Sequence, residues 1–198
     1  MRKKQLMRWK HIALMLLVVG LNVGGKTWRD IPKHYKTLCY VMIVHTLYYK
    51  LCKRHLVWDF TPLNFNWTIL RTIHILIVTP LLVLLFLSKL PNTLYKRMCY
   101  LVKWVIYSSG VEYISHKQKL IQYRHGWNIF WSGLLYLMMY VYSFLFTKRP
   151  WLTCILTICS IIFFIFKFKV PIKSKHPFSR KIDSIVNCFY FSKLEDIV

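Results

Sequence analysis

Long apolar runs, separated by short segments rich in Lys, Arg, Pro, Gly or Asn, dominate this sequence. Each run approaches the ~20 residues that a helix needs to cross a bilayer. None shows the strict two-residue alternation of a barrel strand, and helices satisfy their own backbone hydrogen bonds in lipid. The pattern predicts an all-α protein, a polytopic transmembrane helical bundle of about six spans within residues 1–170. The predicted spans are 11–24, 35–51, 67–87, 98–114, 127–146 and 151–166.

The first run has a second interpretation, because a basic segment, residues 1–10, precedes it as in a signal peptide. Residues 23–26 (VGGK) lack a good small-x-small cleavage site followed by a soluble mature domain. We therefore expect the run to be retained, with five spans as the alternative. Six spans place about twice as many Lys and Arg on the side of both termini, whereas five leave the sides nearly equal. Both termini are accordingly predicted to be cytoplasmic.

Composition excludes an ordinary soluble domain and argues against nucleic-acid binding. Hydrophobic residues make up 56% of the 198 residues and aromatic residues 17%, and the mean hydropathy is +0.38. The formal net charge of +23 would suit a nucleic-acid partner. The charges are, however, dispersed over both sides of the predicted bundle. We predict no nucleic-acid partner, and the sequence identifies no protein partner.

The C-terminal segment, residues 171–198, concentrates basic residues directly after the last predicted span. Such residues attract anionic lipid headgroups. Apolar residues recur there at helical spacing, namely Ile182, Ile185, Val186, Phe189 and Tyr190. The segment is therefore either an interfacial helix on the cytoplasmic leaflet or a solvated tail. In the first case membrane lipids are its partners.

Familiar cofactor, metal and soluble-enzyme motifs are absent from the sequence. The six cysteines are scattered through or beside apolar runs, without a CxxC pair or a histidine at zinc-finger spacing. There is no phosphate-binding glycine loop, GxSxG elbow or HExxH segment. We therefore predict no metal and no cofactor, and we interpret the cysteines as packing residues.

Glu112 is the one acidic residue that falls within a predicted span. A carboxylate there requires a cation, a hydrogen-bond donor or a proton, and such residues are candidates for function. His74 and Arg71 lie at a similar depth on the neighbouring span and share a helix face. We expect Arg71 or His74 to pair with Glu112, which makes Glu112 and His74 the candidate catalytic residues. The alternative is that these groups only hold the bundle together.

Other polar and aromatic residues are expected at the same depth of the predicted bundle. They approach the cytoplasmic side in the six-span topology, so a half-buried site formed by several spans is predicted there. The candidate binding residues are His45, Arg71, Trp127, Asn128 and Trp131.

A resemblance rests on residues 110–114 (GVEYI), 120–132 (LIQYRHGWNIFWS), 148–150 (KRP) and 168–171 (FKVP), with residues 28–30 (WRD) before the second span. In these segments the chain resembles an uncharacterised family of small multi-pass membrane proteins of Bacillus- and Clostridium-type Gram-positive bacteria. The GWNxxWS element is the most specific part of this resemblance. The resemblance implies a location in the bacterial cytoplasmic membrane but no particular activity. The matching residues are Glu112, Gly126, Trp127, Asn128 and Trp131.

Two functions remain compatible with the sequence. The first is a non-enzymatic membrane component, either transporter-like or a structural partner, in which Glu112 and basic residues hold the bundle together. The second is a lipid- or isoprenoid-modifying enzyme, in which Glu112 acts as general acid or base beside His74 and the tryptophans line an apolar pocket. We prefer the first, because it requires less of the sequence.

Overall fold

The structure is a computed structural model that describes residues 2–52, 55–61 and 67–171. The predicted basic tail lies outside the described residues, apart from Pro171. Most described residues are helical, and two short strands lie among the connecting loops. The helices are α1 (Arg2–Gly24), α2 (Ile31–Leu51), α3 (segments Trp67–Ile73, His74–Val78 and Thr79–Ser88), α4 (Leu94–Lys117), α5 (Ile129–Phe146) and α6 (Pro150–Lys167). The strands are β1 (Trp58–Phe60) and β2 (Ile121–Tyr123).

Three helices are long and apolar enough to cross a membrane: Ile69–Ser88 in α3, Ile129–Phe146 and Pro150–Lys167. The first two predicted spans satisfy the same criterion only together, as a pair bent by 78°. Within the described residues the chain thus has three such helices, or up to four candidate spans. The predicted span 98–114 forms part of α4, whose charged residues lower its hydropathy. A mostly helical fold is confirmed, whereas six separate spans are not.

A sharp corner separates α1 from α2. Lys26 adopts a left-handed conformation with φ 54°, and a Cβ atom on Gly25 would lie 2.9 Å from the Leu21 carbonyl oxygen, so glycine is required there. The Thr27 hydroxyl donates to Asn22 Oδ1 at 2.7 Å. Helix α2 then begins after the 3-10 turn that starts at Thr27. These contacts make the first two predicted spans two arms of one bent unit.

Helix α3 lies at the centre of the described structure and packs against α1, α2 and α5. Val83 and Leu84 are fully buried in the main hydrophobic core. The preceding segment, His74–Val78, is a π-helical turn next to Pro80, which has no N–H to donate to the regular helical ladder. The π-helical turn therefore lies where Pro80 interrupts the regular hydrogen bonds of α3, and His74 is the first residue of this turn.

A two-stranded ribbon is the part of the fold that the sequence did not predict. Strands β1 and β2 are antiparallel, with Trp58 opposite Tyr123 and Phe60 opposite Ile121. Phe60 and Ile121 are buried in a small cluster with Leu70 of α3. Each strand has only three residues, too few for a visible two-residue alternation. The prediction of an all-α fold is therefore corrected to a mostly helical fold with one two-stranded ribbon. The ribbon joins the loop after α2 to the loop after α4.

Candidate functional site

A cavity of about 240 Å³ lies between α2, α3, α5 and α6, and most of its wall is aliphatic or aromatic. On α2 the lining extends from Tyr40 to Leu51, with Cys52 directly after the helix, and on α5 from Ser132 to Ser143. At about 1.5 Å per helical residue, this makes the cavity roughly 17 Å long. It is therefore a narrow passage that follows the helices.

Helices α2 and α6 both line this cavity without packing closely against each other. Helix α2 packs against α3 and α5, and α5 packs against α4 and α6, whereas no comparable contact joins α2 to α6 within the described part of the chain. They meet at one end of the cavity, where the Tyr40 and Thr157 hydroxyls are 2.5 Å apart. At the other end Leu51 belongs to the same hydrophobic cluster as Phe164, so the seam lies between these two contacts. The cavity thus lies behind a loosely closed seam between α2 and α6.

The structure separates the predicted site residues into two groups. Four line the cavity: His45, His74, Glu112 and Trp127. The other three lie outside its lining: Arg71, Asn128 and Trp131. Side chains from α2, α3, α4 and the loop before α5 thus meet around one cavity.

Glu112 is buried, with 5% of its surface exposed, and accepts hydrogen bonds from three hydroxyl groups. Tyr123 donates to Oε1 at 2.8 Å, Ser132 donates to Oε1 at 2.5 Å, and Tyr136 donates to Oε2 at 2.8 Å. The Trp127 indole in turn donates to the Ser132 hydroxyl at 2.8 Å. We call these five residues the Glu112 cluster. The cluster joins α4 to β2 and α5, and it satisfies both carboxylate oxygens.

The electrostatics of Tyr123 agree with its role as a donor. Burial raises the pKa of the Tyr123 phenol, and the negative charge of Glu112 raises it further. The phenol therefore stays protonated at neutral pH. Ser132 and Tyr136, four residues apart on α5, present their hydroxyls from one helix face.

Arg71 pairs with Asp59 of β1, so the predicted pairing of Arg71 or His74 with Glu112 is wrong. The Arg71 Nη2 to Asp59 Oδ2 distance is 2.6 Å, and Arg71 Nε donates to Asp59 Oδ1 at 3.2 Å. The prediction used depth along two neighbouring helices, which does not determine how each helix is rotated. The prediction also lacked the ribbon, and it is strand β1 of the ribbon that places the buried Asp59 next to Arg71 of α3.

Asn128 and Trp131 have structural contacts at the start of α5. The Asn128 side chain caps the helix by accepting from the backbone N–H groups of Phe130, at 3.0 Å, and of Trp131, at 3.3 Å. The Trp131 ring packs against Phe168, with centroids 5.4 Å apart, and lies 5.6 Å from the Lys167 ammonium. Asn128 and Trp131 therefore have contacts at the start of α5, and neither residue lines the cavity.

One end of the cavity carries polar atoms with spare hydrogen-bonding capacity. His45 Nδ1 lies 2.9 Å from the Val41 carbonyl oxygen, and since a carbonyl only accepts, Nδ1 donates and leaves Nε2 of the neutral ring as an acceptor. The Trp58 Nε1–H is buried without a partner among the described residues. The His74 ring lies 6.4 Å from the Trp58 ring. His74 is the first lining residue of α3, and His45 lies near the middle of the α2 lining. We call the part of the cavity lined by His45, Trp58 and His74 the polar end.

At the opposite end of the cavity most polar groups satisfy each other. Besides the Tyr40–Thr157 pair, the Tyr142 and Ser160 hydroxyls are 2.8 Å apart. Ser143, which is fully buried, is the exception, because its hydroxyl has no partner within the described residues. The two ends therefore differ in how much hydrogen bonding they can offer to a ligand.

The sequence did not identify several residues that form this site, namely Trp58, Asp59, Tyr123, Ser132 and Tyr136. Neutral Ser and Tyr are frequent in this chain and carry no charge signal. The spacing of Ser132 and Tyr136 was the one available indication that both could face Glu112.

Comparison with protein-family models, curated proteins and solved structures gives no match to this chain. The resemblance to a family of bacterial membrane proteins therefore stays a prediction. The fold and site describe a mostly helical protein with three helices apolar enough to cross a membrane and a long apolar cavity between helices. No group of three or more potential metal ligands occurs in the part of the chain that the structure describes.

Proposed function

We propose that this chain is a non-enzymatic multi-pass membrane protein that binds a lipid-like chain in the cavity between α2, α3, α5 and α6. The narrow apolar cavity, roughly 17 Å long from the helical rise, is the observation that carries the proposal. The loosely closed seam between α2 and α6 gives such a chain a path from the bilayer. Large apolar side chains are exposed on both helices, including Ile43, Ile155 and Ile158. These side chains favour lipid as the surroundings of the seam.

The Glu112 cluster supports a non-enzymatic role. A general base needs a free lone pair directed at its substrate, and a general acid needs a proton to give. Three of the roughly four lone-pair sites of the Glu112 carboxylate are instead taken by the hydroxyls of Tyr123, Ser132 and Tyr136, which fix it in place. In this proposal Glu112 replaces the predicted ion pair as the polar contact that holds the helices together.

A lipid- or isoprenoid-modifying enzyme remains the second candidate, because Glu112 and His74 line the same cavity. In that function Glu112 would exchange a proton with the substrate, and Glu112→Gln would abolish turnover without preventing membrane insertion. The test is turnover of radiolabelled membrane lipids by the reconstituted protein and by Glu112→Gln. Equal turnover by both proteins would exclude Glu112 as the general acid or base.

The proposed topology has six spans in a bacterial cytoplasmic membrane, with both termini in the cytoplasm. The loop charges support it, with the arms of the α1–α2 unit counted as separate spans. Anionic headgroups are the proposed partners of the basic tail. Reporter fusions after Pro91 and after Val198 should report opposite sides of the membrane. The same side for both would contradict six spans with cytoplasmic ends.

Photolabelling tests whether the cavity binds a chain. The probe is a 12-carbon alcohol with a diazirine at its far end, used with the full-length protein in lipid nanodiscs. We expect labels on cavity-lining peptides of α5 and α6, and Val44→Trp should remove most of them because Val44 lines the cavity. Ile43→Trp is the matched control, since Ile43 is 66% exposed. Equal labelling of both variants would overturn the proposed function.

A further inference from the structure

The polar end and the rest of the cavity wall differ in what they can offer a ligand. At the polar end, Nε2 of His45 is an acceptor and the Trp58 indole is a buried donor without a partner among the described residues. His74 also lines the cavity and makes ring contacts with Trp58 and Phe60. A buried donor without an acceptor is costly, so a ligand oxygen at this place would be favourable.

Charge limits the kind of headgroup that the polar end can accept. No Lys or Arg is among the described residues that line the cavity, and Glu112 contributes a negative charge to its wall. Arg71, on the nearby helix, is held by Asp59. An anionic phosphate or carboxylate would therefore lose its hydration without gaining a cation. The wall favours a neutral headgroup.

A hydroxyl group matches the two atoms at the polar end, because it donates one hydrogen bond and accepts another. It can donate to Nε2 of His45 and accept from the Trp58 indole. We infer that the cavity binds a single-chain lipid alcohol, with its hydroxyl between His45 and Trp58 and its chain directed toward Ser143. This inference rests on the proposed function and deepens it by naming the ligand class.

The dimensions of the cavity fit one chain rather than two. With C–C bonds of about 1.52 Å, an extended chain advances roughly 1.25 Å per carbon, so the full 17 Å holds at most about 13 carbons. The volume of about 240 Å³ lies just below the ~300–1,000 Å³ of ordinary small-molecule pockets. The shared chemistry of the ligand, a neutral hydroxyl on one slender chain, occurs in linear fatty alcohols and in isoprenoid alcohols.

Competition against the same photoprobe tests the ligand class. Unlabelled dodecane, dodecanol, farnesol and dodecyl phosphate are compared on the full-length protein in nanodiscs, at equal concentrations measured in the bilayer. We expect dodecanol or farnesol to compete at least fivefold better than dodecane, and dodecyl phosphate to compete no better than dodecane. The stronger of the two alcohols identifies a linear or an isoprenoid source.

Three variants locate the hydroxyl. Trp58→Phe should weaken competition by the alcohol about fivefold and leave dodecane unchanged, because one hydrogen bond is lost and the ring is kept. Trp151→Phe is the control, since Trp151 is 85% exposed. Ser143→Ala should have no effect. A loss in Ser143→Ala but not in Trp58→Phe would reverse the orientation and overturn the inference.

The outcomes separate this inference from the proposed function. If the photoprobe label is insensitive to Val44→Trp, the proposed function fails and the inference fails with it. If the label depends on Val44 but dodecane or dodecyl phosphate competes as well as the alcohols, the proposed function stands and the inference is overturned. An alcohol preference that depends on Trp58 supports both.

Discussion

The Glu112 cluster and the polar end lie on the wall of one cavity, yet they differ in hydrogen bonding. Glu112 accepts from three hydroxyls, whereas the Trp58 indole has no partner among the described residues. A buried polar group that is fully satisfied stabilises the fold, and one that is not costs stability unless a ligand completes it. We therefore propose that the charged residue is structural and that the neutral residues are the better candidates for binding.

The largest expected effect is on stability at the Glu112 cluster. Glu112→Ala should leave the hydroxyls of Tyr123, Ser132 and Tyr136 buried without their acceptor and lower the free energy of unfolding by about 3 kcal/mol. That loss corresponds to a decrease of roughly 6–12 °C in Tm for a chain of this size. Thermal unfolding in detergent measures it, with Tyr113→Phe as a control at the exposed neighbour. An unchanged Tm would show that the cluster does not stabilise the fold.

A smaller loss is expected where the ribbon meets α3. Arg71→Met should leave the buried Asp59 carboxylate without its guanidinium and lower the free energy of unfolding by about 2 kcal/mol, less than for a fully buried pair because Arg71 is 28% exposed. Asp59→Asn should cost less, since the exposed part of Arg71 can be solvated. Chemical or thermal unfolding compares the two variants. A larger loss in Asp59→Asn would contradict this account of the pair.

A modest pH dependence is expected from two stacked histidines, His55 and His125, in the loops. The His55 and His125 rings are stacked with centroids 3.5 Å apart. Partial burial lowers the pKa of His125, and His55 and Arg124 lower it further. The unfolded chain then binds more protons than the folded one, so stability is highest above a pH of about 6.5 and decreases as the pH falls below it. Tm measured from pH 7.5 to 5.5 should decrease less in His125→Gln, and an identical decrease would contradict this role.

The smallest stability effect is expected at the polar end itself. The His74 ring is partly buried and makes ring contacts with Trp58 and Phe60. His74→Phe replaces it by an apolar ring, so stability should change by less than about 0.5 kcal/mol or increase. Binding of the alcohol photoprobe should nevertheless decrease, because the polar end becomes more apolar. Unfolding and photolabelling on one preparation measure both effects. A loss of stability as large as that of Glu112→Ala would remove the distinction between the two regions.

The sequence predicted the helices well because each long apolar run has essentially one stable conformation in an apolar environment. It also selected Glu112 correctly as a buried charge that needs partners. The partners themselves were not predictable: Tyr123 reaches Glu112 through a ribbon of three-residue strands, and helical depth says nothing about helix rotation. The corner at Gly25 was missed for a related reason, since two apolar runs joined by a glycine pair are compatible with separate spans or with a bent unit.

The position of the label along the ligand chain shows whether the hydroxyl of the alcohol lies at the polar end. Two photoreactive 12-carbon alcohols, one with the diazirine next to the hydroxyl and one with it at the far end, are crosslinked to the full-length protein in nanodiscs. We expect the first probe to label peptides containing Trp58 or His74, and the second to label peptides containing Met139 or Ser143. Identical labels from both probes, or labels concentrated on exposed positions such as Ile155, would contradict this expectation.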